Sequence, residues 1–251
     1  MILLDHINAS FEPDRHLGWD EALYALSEAE GLPPLLRLWR TVRPMIVIGR
    51  SNQAEKEARM DVAQSDDIPV YRRSSGGGTV LLDNGCLNYA LILPIPWNRQ
   101  LQSVTGTNGY LMTTTRDALN ASLGINLTIK GVTDLTLKGQ KVCGNAQRRG
   151  RKALLFHGSI LLSADLRAIE RYLHEPTKKP DYRGDRTHRQ FIANLEKAVK
   201  AVKDALVSAW KAEAVIDEPS LQKASQKAAE MTPKPLMPIP ASKDSPGQVY
   251  L

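Results

Sequence analysis

The sequence predicts an α+β domain in which helices pack on a β-sheet. Short β-like runs interleave with helical stretches of unequal length, with no strict βαβ repeat. That pattern argues against a doubly wound parallel sheet. Turn signals of the hairpin kind, Asp83-Asn84-Gly85 and Gly139-Gln140, separate successive apolar runs. No internal repeat suggests a solenoid or propeller.

Taken in order, MILLD at the start reads as a short strand. Leu17 to Glu30 places Leu17, Ala22, Leu23 and Leu26 near one helical face and stops at Gly31 and the Pro33-Pro34 pair. Two β-like runs follow, Leu35 to Arg40 and Met45 to Gly49, then a helix from Gln53 to Ala63. Arg50 can reach an anion or serve the start of that helix. Ile68 to Tyr71, Thr79 to Leu82 and Leu87 to Leu93 read as strands. Leu101 to Leu123 reads as a long helix closed by Gly124, before a strand at Ile125 to Ile129. A hairpin is expected from Asp134 to Lys138 and Lys141 to Gln147, then a strand from Ala153 to Leu162. Ser163 or Asp165 can cap the next helix. Tyr172 to Arg189 is charged and irregular, and Gln190 to Glu213 is expected as a helix with Phe191, Leu195, Val199, Val202 and Leu206 buried. The tail after Thr232 is proline-rich and expected to run extended.

The 251 residues suffice for one large domain with an appendage. We expect the domain at 1–213 and a proline-rich tail at 214–251 without a full accessory domain. A net charge of +6 fits phosphorylated ligands or an acidic partner, and equally plain solubility. Aromatics at 6% with no basic–aromatic repeat argue against a nucleic-acid surface. The start MILLDHINAS lacks the features of a signal peptide, and no apolar run approaches the roughly 20 residues that span a bilayer. Cys86 and Cys143 are too few for a disulfide framework and lack metal-ligand spacing. A cytoplasmic, membrane-free protein is the expectation.

Two stretches carry chemistry. In YRRSSGGGTVLLDNGCLNYA, Tyr71 to Ala90, three successive glycines let the backbone approach a ligand and turn its N–H groups toward an anion. Arg72 and Arg73 add charge and forked donors. The same residues also suit a plain glycine hairpin with solvated arginines. In KGQKVCGNAQ, Lys141 is either an exposed strand lysine or a compact charge for a phosphate or polarised carbonyl oxygen.

The first stretch resembles the signature R-R-x-S-G-G-G-x-V-x-x-D-x-G-x-x-N of the lipoate–protein ligase A family, within the biotin/lipoate ligase superfamily. Arg72, Arg73, Ser75, Gly76, Gly77, Gly78, Val80, Asp83, Gly85 and Asn88 fit it, whereas Leu82 stands where many members carry His. Lys141, Val142, Gly144 and Ala146 resemble the family's K-[VI]-x-G-x-A pattern. Asp134 matches the Asp of its N-D-L step, with Thr133 in place of Asn, and His157 matches H-G-[TS]-L-L. The D-E-A-L segment at Asp20 to Leu23 resembles the family's first helix. The biotin branch's G-R-G-R-x-G type loop is absent.

The resemblance implies a mixed, largely antiparallel sheet flanked by helices, and a two-step ligase. Lipoate would attack ATP to give lipoyl-AMP, and a lysine of a lipoyl carrier protein would take the acyl group. That carrier would be a lipoyl domain or a glycine-cleavage H-like protein. Lys141 would be catalytic. Arg72, Arg73, Ser75, Gly76, Gly77, Gly78, Asp83, Asn88, Asp134 and His157 would bind ATP or lipoyl-AMP, with Asp134 also placing Mg²⁺. Lys138 falls outside the pattern and reads as a solvated turn residue. The rivals are an octanoyl or lipoyl transferase of the same fold, which needs a cysteine nucleophile, and a non-catalytic relative that kept the pocket. No cysteine occupies a transferase position, but Cys143 would share a face with Lys141 if that strand is regular.

Overall fold

A computed structural model describes residues 1–176 and 178–237. The chain begins with β1 (Ile2–His6), α1 (Pro13–Glu30), β2 (Leu35–Trp39) and β3 (Met45–Ile48). Then come α2 (Ala54–Glu57), α3 (Met60–Ser65), β4 (Val70–Arg72), β5 (Val80–Leu82) and β6 (Cys86–Pro94). The next elements are α4 (Val104–Leu123), β7 (Leu127–Lys130), β8 (Asp134–Leu137), β9 (Gln140–Arg149) and β10 (Ala153–Leu161). The described part closes with α5 (Leu166–Tyr172), α6 (His188–Phe191), α7 (Val199–Trp210) and α8 (Glu218–Glu230).

Seven strands form one sheet in the order β1-β2-β6-β10-β9-β8-β7, antiparallel throughout except for the β1–β2 pair. The expected largely antiparallel α+β architecture is therefore present. Strand β6 shows how the sequence divides its faces. Leu87, Tyr89, Leu91 and Leu93 point toward α4 and α7, while Ala90 and Ile92 point toward α1. Each fully buried leucine on these faces contributes about 1.5–3 kcal/mol.

A second sheet has the order β4-β3-β5, with β4 parallel and β5 antiparallel to β3. Its apolar side packs on α2, α3, α5 and α6. The order decides what the glycine stretch is. Because β4 and β5 lie on opposite sides of β3, the segment between them crosses the end of β3 and cannot be a hairpin turn.

Several expectations need correction. The helix expected over 53–63 breaks into α2 and α3, because Ala58 is extended and bridges Leu173. The helix expected over 190–213 starts only at Val199. The preceding segment runs extended, with Ala193 N–H donating to Lys141 O (3.0 Å) and Leu195 N–H to Leu161 O (2.7 Å). The β8–β9 turn centres on Lys138 and Gly139, whose φ values of 51° and 81° suit a two-residue hairpin, so Gln140 already belongs to the strand. Within the expected 214–251 tail, residues 218–230 form α8. It is capped by Asp217 and buries Ala224 and Ala228 with α1 residues Trp19, Leu23 and Leu26. Most of the proline-rich stretch, 238–251, lies outside the described residues. Among the described residues no helix is long and apolar enough to cross a membrane.

Candidate active site

Register brings the chemistry-bearing residues onto the α1 side of the large sheet. Trp39 of β2 pairs with Asn88 of β6, Asn88 with Ser159 of β10, and Ser159 with Gly144 of β9. His157 and Ala146 pair one step along the same face. Between this face, α1 and the small sheet lies a cavity of about 130 Å³. Leu17, Trp39, Val47, Val80 and Leu82 supply its apolar lining, and Asp20, Arg73, Asn88, Lys141 and His157 its polar lining. Gly77 and Gly78 also line it.

Gly77 has φ of 89°, a conformation costly for any side chain, and an added Cβ would sit 3.1 Å from Arg73 Nη2. The loop is held from inside by Arg73. Its Nε donates to Ser75 Oγ (3.0 Å), its Nη2 to Gly76 O (2.7 Å) and Gly78 O (2.6 Å), and its Nη1 to Val47 O (3.2 Å). Burial pushes this guanidinium down to about 10. Arg72 does the same for the neighbouring turn, with Nη1 donating to Gly49 O (2.9 Å) and Asn52 O (2.7 Å). Both arginines thus shape the walls through backbone carbonyls, and Arg72 does not line the cavity.

Helix α1 tethers the same loop through two carboxylates. Ser75 is buried, and its O–H donates to His157 Nε2 at 2.6 Å. That direction follows from Asp20, whose Oδ2 lies 3.6 Å from His157 Nδ1 and favours the proton there. Asp20 Oδ1 accepts from Arg37 Nη1 at 2.6 Å. Burial alone would raise the Asp20 carboxyl, but Arg37 and His157 outweigh it and hold it below its ordinary range. The adjacent Glu21 accepts from Ser74 and from Arg148.

Arg37 is itself fully buried and donates to His6 Nδ1 (3.1 Å) and His16 O (3.0 Å), with Nη2 2.9 Å from His16 Nδ1. Burial, reinforced by the Arg37 charge, pushes His6 and His16 down to about 3. The folded values lie below the unfolded value of 6.5, so the unfolded chain binds more protons between these limits. Stability should therefore fall as pH drops from about 6.5 toward 3, by up to ~1.4 kcal/mol per pH unit for fully buried His16. Urea midpoints measured across this window should show the slope, and His16→Asn should flatten it. A midpoint indifferent to pH in both proteins would refute a buried neutral His16.

Lys141 enters from β9. Its Nζ lies 2.8 Å from Asp134 Oδ1, with 29% of the lysine side chain exposed. Gly144 makes this possible: a Cβ there would stand 2.7 Å from both Cε and Nζ of Lys141. The K-V-C-G spacing is thus a lysine laid across a glycine on its own strand. A bulge between Leu135 and Thr136 breaks the alternation, so Val142 and Cys143 both turn into the α4–α7 core. Cys143 does not share the Lys141 face, and burial pushes its thiol up to about 12. Cys86 is also fully buried and raised to about 12.

The remaining predicted residues divide. Asn88 lines the cavity with its Nδ2 buried and, among the described residues, unpartnered, as are Trp39 Nε1 and Thr79 Oγ1. Unpaired buried donors of this kind suit a ligand with acceptor oxygens. Asp83 is elsewhere, accepting from Gly85 N (2.8 Å) and Asp165 N (2.7 Å), where it fixes a turn. Asp134 Oδ2 accepts from Tyr182 O–H at 2.7 Å, so both its oxygens are engaged. Among the described residues no three His, Cys, Asp or Glu side chains group to hold a metal. The described residues thus form no protein cage for Mg²⁺. Sequence reasoning missed Asp20, Glu21, Trp39 and Tyr182 as site residues. For the first two the signal was a pair of carboxylates in the D-E-A-L run of α1.

Residues 12–217 match the family model for the lipoyl protein ligase A/B catalytic domain. The chain belongs to this family. A lipoate–protein ligase A bound with ATP superposes with a TM-score of 0.74 at 23% identity, covering 92% of this chain and 94% of that one. The bipartite lipoate–protein ligase of Thermoplasma acidophilum, studied with its E2 lipoyl domain, gives 0.73 at 23% identity over 92% and 91%. Plasmodium falciparum LipL1 in complex with lipoate gives 0.65 at 20% identity over 84% of this chain and 59% of that one. At these identities the likeness is one of fold. Within the lipoyl protein ligase A/B family, the glycine loop, Lys141 and His157 meet here around one cavity.

Proposed function

We propose that this chain is a lipoate–protein ligase. It activates lipoate with ATP and passes the lipoyl group to a lysine of a lipoyl carrier protein. The observation that carries the reading is one cavity with Gly77 and Gly78 on one wall and Lys141 on another, inside a domain of this family. In the first step a carboxylate oxygen of lipoate bonds to the α-phosphorus and pyrophosphate leaves. In the second, the acceptor ε-amine bonds to the acyl carbon, loses a proton, and AMP leaves. Lys141 supplies a fixed cation where negative charge gathers on phosphate and carbonyl oxygens. Gly77 and Gly78 let the backbone lie against the adenylate, while Arg73 holds the loop in shape. ATP enters as its magnesium complex, and Asp134 acts on Lys141. The acceptor is a lipoyl domain or a glycine-cleavage H-like protein, and two free cysteines fit a reducing cytoplasm.

The test incubates the protein with lipoate, Mg-ATP and a lipoyl-domain acceptor, and reads acceptor mass with and without ATP. Lipoylation only with ATP supports the reading. The transferase alternative requires a thiolate, and both thiols are buried and raised to about 12. Cys143→Ser should therefore keep most activity, with a stability loss of about 1–3 kcal/mol for the buried hydroxyl. An ATP-independent acyl shift from an octanoyl carrier donor, abolished in Cys143→Ser, would overturn the ligase reading.

A further inference from the structure

The charged stretch after α5 is a strap wound against the hairpin that carries Lys141. Arg183 is 4% exposed, lies over the Phe191 ring, and donates to Glu175 (2.8 Å) and Arg186 O (3.0 Å). Arg186 donates from Nε to Arg183 O (3.0 Å) and from Nη1 to Gly139 O (2.9 Å), in the β8–β9 turn. Ala193 N–H reaches Lys141 O at 3.0 Å. Between these anchors Tyr182 is held over Phe191, ring centroids 5.2 Å apart, and sends its O–H to Asp134 Oδ2.

We propose that Tyr182 is a positioning residue for Lys141, acting through Asp134. A carboxylate is planar, so a donor fixed on Oδ2 sets where Oδ1 can meet the ammonium. The bond is charge-assisted, the stronger kind. The brace also keeps Asp134 partnered when Lys141 turns to an anionic substrate, which avoids an orphaned carboxylate during turnover. The proposal rests on the ligase reading for what Lys141 does, but not for how Lys141 is held.

Tyr182→Phe keeps the ring against Phe191 and removes only the donor. In full-length protein, kcat for lipoate-dependent pyrophosphate release should fall about tenfold, the scale of one hydrogen bond to a charged group. KM for lipoate and ATP should stay within about twofold, since the donor does not touch them. In an Asp134→Ala background the same substitution should change nothing further, because its target is gone. Nuclear magnetic resonance of isotope-labelled lysine side chains should show Lys141 losing order in Tyr182→Phe while Lys138 is unchanged. An unchanged Lys141 signal, or a loss of equal size with and without Asp134, overturns the proposal. Loosening of Lys141 in a protein whose wild type releases no pyrophosphate supports the brace and overturns the ligase reading instead.

Discussion

Lys141→Ala should slow lipoyl-adenylate formation by at least ~2.7 kcal/mol in barrier, close to a hundredfold, the scale for losing one preorganised charge donor. The ammonium is preset: Asp134 Oδ1 holds it at 2.8 Å, and Gly144 clears its path. Little reorganisation is therefore left for the moment of reaction. The truncation also strips Asp134 of its cation, leaving the carboxylate only the Tyr182 hydroxyl. Lys138→Ala is the matched control, since Lys138 is exposed in the turn on the same hairpin. Pyrophosphate release with lipoate and Mg-ATP is the measurement. A Lys141→Ala enzyme that releases pyrophosphate at near-normal rate would remove Lys141 from the mechanism.

Lys141, Gly77, Gly78 and His157 line one cavity, and it was their resemblance to family motifs that singled them out, since the residue types alone left Lys141 and the glycine stretch open. What Arg72 and Arg73 do was not legible, since most of their acceptors are carbonyls. The carbonyls of Val47, Gly49 and Asn52 come within reach only when β3 inserts between β4 and β5. No local pattern announces that order. The face of Cys143 depended on one bulge, and strict alternation by two gave the wrong side. The break at Ala58 and the extended run before Val199 both arise from bridges to distant strands or segments, to Leu173 and to Lys141. There tertiary pairing overrode a helical period. Helix α8 escaped because its buried residues are the small Ala224 and Ala228, a weak apolar signal. Its Asp217 cap with Pro219 in the first turn was the sign to heed.

The second large effect concerns Asp20, which the fold needs before the chemistry does. Asp20 is 2% exposed and Arg37 fully buried, and their 2.6 Å contact is the one ion pair of Arg37 among the described residues. Asp20→Ala would leave that guanidinium with only neutral acceptors: His6 Nδ1, His16 O and His16 Nδ1. Breaking a buried pair from one side costs about 3–5 kcal/mol, a large part of the 5–15 kcal/mol that holds a domain together. The urea midpoint should fall accordingly with an unchanged slope. Asp20→Asn, which keeps an acceptor, should lose less. Asp20→Ala with Arg37→Met should regain much of the loss, because the uncompensated charge goes too. In the folded fraction of Asp20→Ala, His157 no longer has a carboxylate to keep the proton on Nδ1. Its Nε2 is then free to carry that proton, which removes the fixed direction of the Ser75 bond and the carboxylate that orients the ring, and so loosens the tie between the glycine loop and the sheet. Affinity for a lipoyl-adenylate analogue should drop in Asp20→Ala, and again in Ser75→Ala, with little further loss in the double variant. Additive losses would break the Asp20–His157–Ser75 chain, and a midpoint within about 1 kcal/mol of wild type for Asp20→Ala would show that Arg37 does not depend on it.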